Sequence, residues 1–104
     1  MAKVVWTDPA LNDLQNIIEY IAKDSVVYAE RFGMRVVQAP RILQQSPLLG
    51  RVVPEFSDQS IRELIYGSYR IIYKATDRMC SIVAVIHGSR DILKQLKPGA
   101  WDME

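Results

Sequence analysis

Cysteine is scarce in this sequence and long hydrophobic runs are missing, and both absences narrow the class of protein. Cys80 is the only cysteine among 104 residues, so no intramolecular disulfide can form and no thiolate cluster is available to a metal. No apolar run approaches the roughly 18 residues of a membrane span. The N-terminus reaches Asp8 and Pro9 too soon for the apolar core of a signal peptide. We therefore expect a soluble, cytoplasmic protein that needs neither a metal nor a cofactor.

An excess of one charge sign is also missing. The chain has 13 basic and 12 acidic residues, for a formal net charge of +1. Sequence-independent binding to nucleic acid depends on many Lys and Arg side chains that neutralise phosphates. Direct nucleic-acid binding is therefore not expected, and at this length we predict one domain covering residues 1–104 with a single core.

Two helices are predicted in the first half. Asp8-Pro9 is a helix start, because Asp accepts hydrogen bonds from first-turn amides and Pro is tolerated there; this helix should end near Lys23. Asp24-Ser25 starts a second helix after so short a link that the two should form an antiparallel hairpin. Pro40 should kink or break the second helix. The apolar positions at helical spacing are Leu11, Leu14, Ile17, Ile18, Ile21, Val26, Ala29, Phe32, Val36 or Val37, and Leu43.

The second half has the period of strands. After a first strand at Lys3–Trp6, we predict a short edge piece at Gly50–Pro54, a hairpin of 61–66 and 69–74, and a central strand at 80–86 that is apolar on both faces. Gly67-Ser68 fits a type II′ turn, because Gly supplies the positive φ. The fold class is thus predicted to be α+β, a helical hairpin packed on a small antiparallel sheet.

The hairpin turn also predicts a register and two faces. Tyr66 should lie opposite Tyr69, and Arg62 opposite Tyr73. One face then carries Arg62, Leu64, Tyr66, Tyr69, Ile71 and Tyr73 and should pack under the helices. The other carries Ile61, Glu63, Ile65, Arg70, Ile72 and Lys74 and should be half-exposed. Arg62 and Arg70 are therefore expected on opposite faces of the sheet.

The last strands carry the residue types of a metal-free ribonuclease. Such an enzyme needs a base for the ribose 2′-OH, a proton donor for the leaving oxygen, and cations for the phosphate. The candidates are Glu63 or His87 as base, His87 or a tyrosine as acid, and Arg62, Arg70 and Arg90 as phosphate ligands. The separation of Arg62 from Arg70 and the low net charge argue against this chemistry.

Several sequence blocks, in order, resemble the RelE/ParE superfamily of toxins from type II toxin–antitoxin modules. They are WTDPALNDL at 6–14, YIAKDS at 20–25, SPLLGR at 46–51, VPEF at 53–56, IRELI at 61–65, YRIIY at 69–73 and VIHGSR at 85–90. Within the superfamily they are most similar to the ParE branch, the plasmid stabilisation proteins. The resemblance implies an N-terminal strand, a helical hairpin and a curved antiparallel sheet.

The resemblance also implies growth inhibition that a cognate antitoxin relieves. ParE-like members inhibit DNA gyrase and are not known to need hydrolytic residues, whereas RelE-like members cut messenger RNA on the ribosome. We expect a gyrase inhibitor without catalytic residues. The alternatives are a ribosome-dependent endoribonuclease that uses Glu63, Arg62, Arg70 and His87, and a non-toxic relic that still binds an antitoxin. The residues expected to contact the target or the antitoxin are Arg90, Arg62, Arg70, His87 and Trp101.

Overall fold

The fold is a five-stranded sheet with a helical hairpin on one face, and the computed structural model describes residues 1–96. In chain order the elements are β1 (Lys3–Trp6), α1 (Asp8–Ala22), α2 (Val26–Gln38), a 3₁₀ helix (Ala39–Gln44), β2 (Arg51–Val52), β3 (Ile61–Tyr66), β4 (Tyr69–Ala75), β5 (Met79–His87) and α3 (Ile92–Gln95). Trp101 and the rest of the C-terminal tail lie outside the described residues. Within 1–96, no helix has the length and apolarity needed to cross a bilayer.

The predicted α+β class is confirmed, but the sheet is mixed rather than wholly antiparallel. Its strand order is β1-β5-β4-β3-β2. The neighbours from β2 to β5 are antiparallel, whereas β1 pairs with β5 in parallel, with Trp6 opposite Ile82. A parallel pair requires a long connection, and the helical hairpin and three strands between β1 and β5 supply it.

The start of α1 differs from the prediction by one residue. Thr7, not Asp8, is the N-cap: its Oγ1 accepts from the Ala10 amide at 3.3 Å and donates to the Ile82 carbonyl at 2.7 Å. Thr7 therefore ties the helix to β5 as well as capping it. The second start is as predicted, because Ser25 caps α2 by accepting from the Tyr28 amide at 3.1 Å.

Pro40 ends the second helix as predicted. The α-helical part stops at Gln38, and the chain continues as a 3₁₀ helix in which Pro40 and Leu43 are buried. Proline has no N–H and crowds the preceding turn, so the regular ladder cannot continue past it.

The β3–β4 hairpin has the predicted register. Tyr66 lies opposite Tyr69, Leu64 opposite Ile71, and Arg62 opposite Tyr73. Gly67 has a φ of 56°, and Ser68 is not among the residues of positive φ. Positive φ at the first turn residue alone is the signature of a type II′ turn.

The sheet is buried on both faces, which corrects the prediction that its second face is half-exposed. The helix face packs Leu14, Phe32, Val36, Leu43, Ile71, Tyr73 and Ile82. On the second face, Ile61, Ile72, Val83, Ala84, Ile86, Ile92 and Leu96 form another core with Val53 and Phe56. The segment 53–60 and α3 supply this cover, which no periodicity in β3 or β4 reveals. The far end of β3 stays open, where Ile65 is 58% exposed.

Candidate functional site

Glu63, a candidate base, is buried on the second face between two arginines. Its Oε1 accepts from Arg70 Nε at 2.5 Å, and its Oε2 accepts from Arg51 Nε at 2.5 Å. The side chain of Glu63 has no exposed surface. Both oxygens are thus engaged in charge-assisted hydrogen bonds, and neither is available to draw a proton from a substrate.

Arg70 extends this network to the covering segment. Its Nη1 and Nη2 donate to the two carboxylate oxygens of Glu55 at 3.0 and 2.9 Å. The hydrogen bond from Arg70 lowers the pKa of the Glu55 carboxyl, and the same carboxylate raises the pKa of Arg70. The guanidinium of Arg70 therefore anchors the segment 53–60 over the second core and is turned away from solvent.

Arg62 is on the helix face but is also engaged internally. Its Nε donates to the Gln59 carbonyl at 3.0 Å, and its Nη1 donates to the carbonyls of Leu48 and Gly50 at 3.2 and 3.0 Å. Three backbone acceptors from two loops satisfy much of its donor capacity. Arg62 holds the chain before β2 and before β3 in place.

His87 lies at the opposite end of the helix face. Its ring meets Tyr69 edge-on at 5.1 Å between centroids. The Ser89 amide donates to Nδ1 at 3.1 Å, and Ser89 Oγ is 2.7 Å from the same nitrogen. Because Nδ1 accepts from a backbone N–H, the neutral ring carries its proton on Nε2.

A groove of about 620 Å³ lies between α1 and the end of β5. We call it the α1–β5 groove, and its walls include Asp13, Asn16, Tyr20, Val85, His87 and Arg90. Arg90 is exposed at its mouth and makes no ion pair with any residue of the described part of the chain. The groove thus combines the positive charge of Arg90, the aromatic ring of Tyr20 and the edge of β5.

Asp13 is the groove residue that sequence reasoning missed. It is half-buried, and its Oδ2 accepts from the Val85 amide at 3.0 Å. Burial raises the pKa of its carboxyl, and the bond from Val85 opposes that rise. Its place one helical turn before Ile17, at the border of the apolar stripe, was the only signal in the sequence.

The predicted site residues fall in three separate places. Glu63 and Arg70 are on the second face, Arg62 braces loops on the helix face, and His87 and Arg90 border the groove. Trp101 lies outside the described residues. Within residues 1–96, therefore, Glu63, Arg62 and Arg70 do not lie together with His87, and no group of three or more His, Cys, Asp or Glu could hold a metal.

Comparisons with known proteins agree with the resemblance seen in the sequence. Residues 4–92 match the family described as ParE toxin of type II toxin–antitoxin system, parDE. A relative named Toxin RelE2, from Caulobacter vibrioides, is 36% identical over 91 residues, which cover 86% of this chain and 99% of that protein. The fold is similar to a solved chain titled "Chromosomal ParDE TA system from P. aeruginosa", with a TM-score of 0.69 at 20% identity over 84% of this chain and 96% of that one.

Proposed function

Since this chain belongs to the ParE toxin family of type II toxin–antitoxin systems, we propose that it inhibits growth by binding DNA gyrase. As a toxin of this kind it has an antitoxin as partner. The inhibition needs no bond-breaking step from the toxin itself. It requires a surface that recognises the target.

The observation that supports binding over cleavage is the burial of Glu63 between two arginines. A general base must be within reach of the proton that it abstracts, but Glu63 is enclosed by Arg51 and Arg70 beneath the sheet. His87, the other candidate base, is on the opposite face from Arg70, and Arg62 is occupied by backbone carbonyls. Glu63, Arg62 and Arg70 are therefore too far from His87 to act with it on one phosphate.

Arg90 and His87 are the contact residues in this proposal. Both border the α1–β5 groove, and Arg90 carries a charge that is not neutralised within the described residues. Arginine at the edge of an aromatic groove is typical of protein recognition surfaces. Arg62 and Arg70 are assigned to the architecture instead.

Two assays in parallel test the target. Purified toxin is added to a gyrase supercoiling reaction and to an in vitro translation reaction. We expect loss of supercoiling with translation unchanged, and addition of the antitoxin should restore supercoiling. Intact supercoiling at a toxin excess would refute the gyrase assignment.

RelE-type cleavage is the second candidate, because the 36% identical relative carries the name Toxin RelE2. It predicts the reverse pattern, with cleaved messenger RNA on stalled ribosomes and unaffected supercoiling. Expression without the antitoxin separates both from a non-toxic relic, which would cause no growth defect.

Arg90→Ala tests the contact surface. We expect it to weaken growth inhibition, because it removes the cation at the mouth of the groove without touching the core. The matched control is Arg78→Ala, an exposed arginine at the opposite end of β5. Undiminished toxicity of the Arg90 variant, with equal expression of both, would remove Arg90 from the target surface.

A further inference from the structure

Beyond Ile82, the edge of β5 that faces the α1–β5 groove has no neighbouring strand among residues 1–96. β1 pairs with β5 from Lys3 opposite Met79 to Trp6 opposite Ile82 and then turns into α1. β5 continues to His87, held on its other side by β4 up to the pair Tyr69–His87. Residues 83–87 therefore have no strand partner on that side among residues 1–96, and residues 85–87 border the groove.

The hydrogen bonds show which backbone groups point into the groove. Along a strand, successive residues direct their N–H and C=O to alternate sides. The Gly88 amide donates to Ser68 on the β4 side of the sheet, whereas the Val85 amide donates to Asp13 on the groove side. By this alternation, His87 and Val85 both direct their backbone groups to the groove.

Two of the four groups there already have partners. Asp13 accepts from the Val85 amide, and the His87 carbonyl accepts from the Arg90 amide at 3.0 Å. The Val85 carbonyl and the His87 amide have no hydrogen-bond partner among residues 1–96. A free acceptor and a free donor on one strand edge match the groups that an added strand presents.

We propose that an extended segment of the antitoxin adds to this edge of β5 and places an acidic side chain against Arg90. An extended chain fits because its own N–H and C=O are free to pair, whereas a helix has already bonded its own. The acidic residue follows from the charge of Arg90, which no described residue neutralises. The proposal depends on the toxin–antitoxin partnership and not on gyrase as the target.

A pair of variants at one position isolates the backbone contact. His87→Pro removes the amide that faces the groove and leaves the bonds on the β4 side intact, because those bonds come from Ile86, opposite Arg70 of β4, and from Gly88, which donates to Ser68 of the turn. An edge position of this kind tolerates Pro. His87→Ala removes the imidazole and keeps the amide. Binding of the purified product of the adjacent antitoxin reading frame is measured by calorimetry. We expect His87→Pro to weaken binding by about 10-fold relative to His87→Ala, and equal affinities would overturn the proposal.

Hydrogen exchange on the wild-type complex gives a readout that does not depend on a variant folding. The His87 amide should exchange rapidly in the free toxin and become protected when the antitoxin binds. Arg90→Glu should weaken binding, and a Lys in place of one acidic antitoxin residue should restore it. An unprotected His87 amide in a formed complex would overturn the strand addition alone. No binding to wild-type toxin would overturn the partnership as well.

Discussion

Glu63 is the residue on which the second core depends, because its carboxylate neutralises arginines on two different strands. Its partners come from β2 and β4, and Arg70 passes the interaction on to Glu55. A buried charge of this kind costs several kcal/mol to desolvate, and the geometry of two short, oriented bonds compensates for it. A glutamate can serve either as a catalytic base or as a buried partner of arginines, so the sequence alone could not distinguish these two roles for Glu63.

Glu63→Ala should therefore lower the free energy of unfolding by about 1.5–3 kcal/mol, since it removes one of the two carboxylates that pair with the mostly buried Arg70. Chemical denaturation followed by circular dichroism measures the change. Glu19→Ala, an exposed glutamate of α1, is the control and should stay within about 0.5 kcal/mol. A Glu63 variant that kept wild-type stability would show that the network contributes little.

Tyr73→Phe tests a second buried polar contact. The hydroxyl accepts from the Gly50 amide at 2.9 Å and donates to the Pro47 carbonyl at 2.9 Å. Its loss leaves a buried donor without a partner, so we expect a cost of about 1–3 kcal/mol. Tyr20→Phe, at an exposed position, is the matched control, and equal midpoints for the two variants would contradict the role of the Tyr73 hydroxyl.

At the scale of elements, the junction between β1 and α1 joins the two layers of the molecule. Thr7 caps the helix and also bonds the last β5 residue that β1 covers. Beyond this point α1 runs over the end of β5, and Asp13 accepts from the Val85 amide, one of the two amides on this edge that β1 does not reach. The groove exists because β1 stops while β5 continues.

Thr7→Ala should cost about 0.5–2 kcal/mol from the cap alone, and the lost bond to Ile82 adds to it. Thermal unfolding followed by circular dichroism gives the shift in melting temperature. Thr7→Ser keeps the hydroxyl and should retain most of the stability. If serine were as harmful as alanine, the methyl group rather than the hydroxyl would be responsible.

For the whole molecule, acid should destabilise the fold through Glu55. The pKa of its carboxyl in the folded protein lies below the ordinary value of 4.5 because Arg70 donates to it. The unfolded chain then binds more protons in that range, so the stabilisation is present above about pH 4.5 and is lost as the pH falls through the lowered pKa. Asp13 changes the stability in the opposite direction as the pH falls. Burial raises the pKa of its carboxyl above 3.8, so its protonation favours the folded state.

Denaturation curves at a series of pH values between about 3 and 6 separate these contributions. Glu55→Gln should flatten the decline on the acid side, because the glutamine cannot titrate. Asp13→Asn should make the decline steeper, because it removes a group whose protonation favours the fold. An unchanged profile for Glu55→Gln would mean that other carboxyl groups govern the acid transition.

Local patterns in the sequence determined the two helices, the break at Pro40, the type II′ turn and the register of the hairpin. Each of these depends on residues a few positions apart, whose spacing and turn chemistry the sequence displays directly. The same register separated Arg62 from Arg70, and this separation is what the structure has.

Only the tertiary structure decided that β1 runs parallel to β5, that the second face is covered, and that Glu63 is enclosed. It alone brought Asp13 to Val85, 72 residues away, and Thr7 to Ile82, 75 residues away. The physical reason is that these contacts join segments whose order in space is set by the connections between strands and not by any periodicity within them. The end of β1 and the part of β5 beyond Ile82 are likewise far apart in the sequence, which is why no local pattern indicated the groove.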